Sequence, residues 1–155
     1  MATTITKATL TVTLEESVNL NGVDRGSKNT VSITDIAEVH ERIITVPLTT
    51  AGATTKTKII ALDTTASAGT FIKTDVQYIR ITNLDSQTSA RIQLSTAGDN
   101  CWLQLDAGKS IILYNHYLIP TVSEWTVGTN TFTDLAAINA QADAAVDLEL
   151  FVASK

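Results

Sequence analysis

Apolar and polar residues alternate along most of this 155-residue chain. Near the start, Leu10, Val12 and Leu14 alternate with Thr9, Thr11 and Thr13; near the end, Val146, Leu148, Leu150 and Val152 alternate with Asp147, Glu149 and Phe151. A period of two sends successive side chains to opposite faces, so each segment is a strand with one buried and one wet face. The same reading predicts strands over 28–34, 38–46, 57–63, 69–72, 76–83, 89–95, 100–106, 109–114 and 121–127. Turn residues separate them: Asn21-Gly22, Asp24-Arg25-Gly26, Asn83-Leu84-Asp85-Ser86, Ala97-Gly98-Asp99-Asn100 and Asp106-Ala107-Gly108-Lys109. Pro47 should end the strand before it, because proline cannot donate to a ladder. The pairs Ile79/Ile81, Ile92/Leu94, Leu103/Leu105 and Ile111/Leu113 make 76–114 read as a meander with the densest core.

Two segments depart from this rhythm. From Thr133 to Ala145, Leu135, Ile138 and Ala142 recur at helical spacing behind a capping Thr or Asp, which predicts one short helix, or a docked loop, before the last strand. Thr49 to Thr57 is small and polar and reads as a mobile connection. The expected fold is all-β: an antiparallel β-sandwich, jelly-roll-like, with at most one short helix near the C-terminus. The length predicts a single domain over 1–155, with 1–7 as a flexible N-terminal arm.

Composition sharpens the picture. There are 26 threonines against 2 prolines, which suits strands with a half-wet face. The 11 basic residues are scattered and the 16 acidic ones leave a net charge of −5, so a nucleic-acid partner and a polybasic membrane anchor are not expected. The first residues show no apolar run behind a basic start, so the chain is expected to be made and kept in the cytosol, or to leave it otherwise than by secretion. Cys101, the sole cysteine, is expected to be a packed strand thiol.

Candidate chemistry is sparse. Ala107-Gly108-Lys109-Ser110 copies the end of a phosphate-binding loop, but the glycine required five places before Gly108 is Leu103, so the string reads as a turn. Glu38, His40 and Arg42 fall on one strand face, where Arg42 would repel a cation; they read as a polar outer face. His116 reads as a turn tip or a subunit contact rather than a general base. No catalytic residue, metal site or cofactor is expected. Trp102 reads as part of the core meander, whereas Trp125, between Glu124 and Thr126, is the better anchor for a partner or sugar.

Three blocks, Val76-Gln-Tyr-Ile-Arg-Ile-Thr-Asn-Leu-Asp85, Ser89-Ala-Arg-Ile-Gln-Leu94 and Trp102-Leu-Gln-Leu-Asp-Ala-Gly-Lys-Ser110, resemble small virion structural proteins of tailed bacteriophages of the marine and cyanobacterial type. The ending, Thr133 to Ser154, is similar to the same group in its alanine-rich segment and acidic-aliphatic strand. The resemblance implies a non-enzymatic β-sandwich, made in the host cytoplasm and assembled into the virion. It would be a capsid-associated decoration or cement subunit that binds itself and the major capsid protein. Lattice symmetry favours a trimer or a larger ring. The alternative is a tail, neck or fibre component with a carbohydrate-binding sandwich that stacks sugars on Trp125 and Tyr117. The expected self-association surface gathers Tyr117, Leu118, Ile119, Trp125 and Phe151.

Overall fold

A computed structural model describes residues 6–49, 55–96, 98, 100–114 and 135–155. Within it the chain forms two compact units, Met1–Glu38 with Lys155, and Val39–Ser154.

The first unit is a ribbon. Strand β1 (Ala8–Glu16) pairs antiparallel with β4 (Ser27–Ile36), setting Leu10 opposite Ile33 and Val12 opposite Val31. At its tip β2 (Asn19–Leu20) and β3 (Val23–Asp24) form a second, smaller hairpin. Its two-residue turn, Asn21-Gly22, has φ of 54° and 79°, the left-handed pair that matches the twist of the flanking strands. Gly26 lets the chain close back on β1, since a Cβ there would collide with the Glu16 carbonyl oxygen.

The second unit is a β-sandwich with jelly-roll topology. One sheet has the order β11-β8-β13-β5, formed by Ser110–Tyr114, Val76–Asn83, Val146–Ser154 and Glu38–Val46. The other has the order β10-β9-β12-β6-β7, formed by Asn100–Leu105, Ala90–Ser95, Ala137–Ala142, Thr57–Asp63 and Thr70–Ile72. First strand neighbours last, β5 with β13, and the nesting continues inward through β6 with β12, β8 with β11 and β9 with β10. This is one long hairpin folded over on itself, closed by the cross-pairs β13–β8 and β12–β9. The short β7 adds a parallel edge beside β6. The core lies between the sheets, where Ile79, Ile81, Leu148 and Leu150 meet Ile59, Ile60, Ile92 and Ile138.

Most expected strands are present, and Pro47 follows the end of β5. Two expectations are corrected. Residues 76–114 do not run as a meander: β8 and β11 pair in one sheet and β9 and β10 in the other. Alternation reads the same in either sheet, so the pattern carried no sign that the connections after Asn83 and Leu105 cross the sandwich. Nor is there a helix or docked loop over the described part of Thr133–Ala145. Residues 137–142 form β12, between β9 and β6. Ile138, Ala140 and Ala142 all face the core in the strand, and two flanking ladders outweigh a short helix with little to nucleate it. Among the described residues no helix is present, hence none that could cross a membrane. The strand expected over 121–127 lies outside the described residues, as do 1–5 of the expected arm and 50–54 of the expected mobile connection.

Candidate interaction surfaces

Of the five residues expected to form a partner surface, Tyr117, Leu118, Ile119 and Trp125 lie outside the described residues. Phe151 is on the outward face of the four-stranded sheet, opposite the core-facing Leu150 and Val152. Its half-buried ring meets Tyr78 edge-to-face at 5.8 Å, and the Arg80 guanidinium sits over it, also at 5.8 Å. Arg80 is held in turn by Glu149, at 2.9 Å. Burial pushes the Tyr78 hydroxyl above its ordinary pKa, against the opposing pull of Arg80.

Glu38, His40 and Arg42 are exposed, as expected of a polar face, but that face of β5 is the one turned toward the opposite sheet. His40 meets Phe71 of the opposite sheet edge-to-face at 5.0 Å, and Arg42 Nη2 donates to the Ile59 carbonyl at 2.6 Å. Both side chains therefore reach toward the other sheet at the open margin of the sandwich, and Val39 and Ile43 take the outward positions, 51% and 63% exposed. Among the described residues no three His, Cys, Asp or Glu side chains gather as a metal would require.

The connections after β8 and β10 are built by one buried amide. Asn83 Nδ2 donates to the carbonyls of Thr88, at 2.8 Å, and Leu105, at 3.2 Å, while its Oδ1 accepts from the Asp85 amide at 3.0 Å. Asp85 Oδ1 then accepts from the amides of Gln87 and Thr88, which holds its carboxyl below the ordinary range. Asp106 is lowered too, by hydrogen bonds from Gln104 and Ser89. Ala107-Gly108-Lys109-Ser110 is a turn, with Gly108 at φ 68° and the Lys109 amide donating to the Asp106 carbonyl. A polar cleft of about 420 Å³ opens beside these connections, lined among others by Gln87, Ser89, Arg91, Gln104 and Asp143.

Sequence reasoning missed the outward face of the five-stranded sheet. Trp102, read as core, is 43% exposed there, and Lys56 Nζ lies 5.3 Å from its ring centre. Its position follows from β10 being an edge strand in which Leu105, not Trp102, takes the fully buried place. Cys101, expected to be packed, is exposed at the start of the same edge strand. On the ribbon, Leu14, Val18, Leu20 and Val23 are 40–59% exposed. No protein-family model matches the chain, and no curated protein is a significant match to it.

Proposed function

We propose that this chain is a non-enzymatic structural subunit of a tailed-phage virion, a capsid-associated decoration or cement protein that acts by self-association and by binding the major capsid protein. The observation that carries the reading is the N-terminal ribbon. Two-stranded sheets are marginal in water, and the two that make up this ribbon, with the connection between them, leave Leu14, Val18, Leu20 and Val23 open. Each such side chain gains about 1.5–3 kcal/mol when fully buried, which is the driving force for an arm that packs on another subunit. The jelly roll adds a second surface: among the described residues β5 is an edge strand, and an edge with outward Val39 and Ile43 invites pairing. The resemblance of residues 76–85, 89–94, 102–110 and 133–154 to phage virion proteins supplies the setting.

On this reading the contacts are head-to-tail, forming a trimer or a larger ring about a lattice axis. Mass spectrometry of purified particles will find the protein at many copies per virion; its presence in infected-cell lysate alone would refute the assignment. In light scattering, the double substitution Leu20→Asp and Val23→Asp will lower the oligomeric mass while leaving the melting transition of the jelly roll in place.

A further inference from the structure

The outward face of the five-stranded sheet has a composition that self-association does not explain. Antiparallel register places Trp102 of β10, Gln93 of β9 and Asn139 of β12 in one row, and Gln104, Arg91 and Gln141 in the next. These positions alternate with the core-facing Ile92, Leu94, Ile138, Ala140 and Leu105. At strand and residue spacings of about 4.8 Å and 3.4 Å, the two rows cover roughly 10 Å by 7 Å of backbone. Gln93, at the centre of the first row, is only 1% exposed, so the accessible patch holds one indole and four planar hydrogen-bonding groups, with no aliphatic side chain among them.

The planar groups are held in place. Asn139 Nδ2 donates to Oε1 of the buried Gln93 at 3.0 Å, Gln104 Nε2 to Asp106 Oδ1 at 2.7 Å, and Gln141 Nε2 to the Thr55 carbonyl at 2.8 Å. Arg91 Nη2 meets Asp143 at 3.2 Å, and Arg91 and Gln104 also line the polar cleft. Gln93 is the buried support, and Asn139, Gln104, Gln141 and Arg91 present their remaining polar atoms in fixed directions, which lowers the ordering cost of binding. Lys58, in register with Asn139, and Lys56, over the indole, add positive charge beside the rows.

We propose that this face is a binding site for an acidic oligosaccharide, a chain of sugar rings bearing carboxylates. A sugar ring has an apolar C–H face that the exposed indole of Trp102 matches. Its adjacent hydroxyls each donate and accept, as do the amides of Gln104, Asn139 and Gln141, and the fork of Arg91 spans two neighbouring oxygens. Lys56 and Lys58 pair with the carboxylate, and the incoming ring takes the ammonium of Lys56 from the indole face as its counter-ion. A protein partner would require several apolar anchors, of which there is one. A nucleic acid would require far more positive charge than a chain of net −5 supplies. The inference is independent of where the protein sits in a particle.

The test uses the full chain on an array of immobilised uronate, sialate and neutral hexose oligosaccharides, followed by isothermal titration calorimetry with a uronate hexasaccharide and its carboxyl-reduced counterpart. The acidic form should bind at least tenfold more tightly than the reduced one. Trp102→Ala should weaken it at least tenfold, Trp102→Phe less than threefold, and the double change Lys56→Ala and Lys58→Ala should remove the preference for acid, with circular dichroism unchanged throughout. Silence across the array, equal binding of the reduced hexasaccharide, or binding that survives Trp102→Ala would each overturn the proposal.

Discussion

Replacing Asn83 tests the account of how the loops are built. The side chain is fully buried, and its three hydrogen bonds tie the connection after β8 to the end of β10. Asn83→Ala deletes all three and leaves the carbonyls of Thr88 and Leu105 short of a donor. At a net value of about 1 kcal/mol per bond, with an added penalty for any buried group left open, the loss is about 3 kcal/mol. For a domain of this size that corresponds to a fall of about 6–12 °C in Tm, read by calorimetry and checked by urea unfolding with an unchanged m-value. Asn83→Asp keeps the shape but turns an oxygen toward those two carbonyls. Near neutral pH it should cost at least as much as alanine. A proton on the new carboxyl restores one donor, so its folded pKa lies above the unfolded value. The deficit relative to wild type must therefore narrow below the unfolded pKa and widen as pH rises through the folded one. A melting point for Asn83→Ala within about 2 °C of wild type, less than about 1 kcal/mol would give, would refute the reasoning.

Three further outcomes follow from the same geometry. The Asp85 carboxyl is lowered by the amides it caps, so its contribution is present above the unfolded carboxylate pKa, about 3.9, and is lost as pH falls through the lower folded value. The Tm deficit of Asp85→Ala should accordingly be largest near neutrality and vanish in acid, and a deficit independent of pH from 2 to 7 would contradict this, since that range spans the titration of an ordinary carboxyl. In β12, Ile138→Ala should cost about 2–5 kcal/mol and Ala140→Leu about 1–3 by overpacking, both read by urea unfolding, whereas a surface helix would tolerate the leucine. Cys101 should react with a thiol reagent in the native protein without denaturant; labelling only after unfolding would return it to the core.

Strand positions were legible wherever alternation was strong, because a half-buried strand writes its two faces directly into the sequence. The spans 38–46, 57–63 and 76–83 coincide with β5, β6 and β8. The turn at Asn21-Gly22 was legible for a local reason, its residues tolerating positive φ. Sheet membership was not, since a connection that closes a hairpin and one that crosses the sandwich use the same turn residues. The segment 137–142 misled because the core-facing side of this central strand carries small side chains, Ala140 and Ala142 beside Ile138, and an alanine-rich string with an isoleucine also satisfies helical spacing.

The candidate sugar face shows where such reading stops. Half of it was accessible: a hairpin closing between Ser95 and Asn100 fixes Gln93 opposite Trp102 and Arg91 opposite Gln104, so four of the six groups share a face by register alone. Assigning Trp102 to the core broke that inference, because alternation says which residues share a face but not which face is wet. The outward side is identified only by the third strand. Asn139 and Gln141 come from a segment more than forty residues along the chain, and only their alignment beside Gln93 and Arg91 turns a polar strip into a two-dimensional patch. Pairing of that kind is set by the nested closure of the jelly roll, with β12 returning between β9 and β6, a long-range event for which no local residue carries a signature. A surface assembled in this way is readable in its chemistry once the fold is known, and in its parts, but not its whole, before.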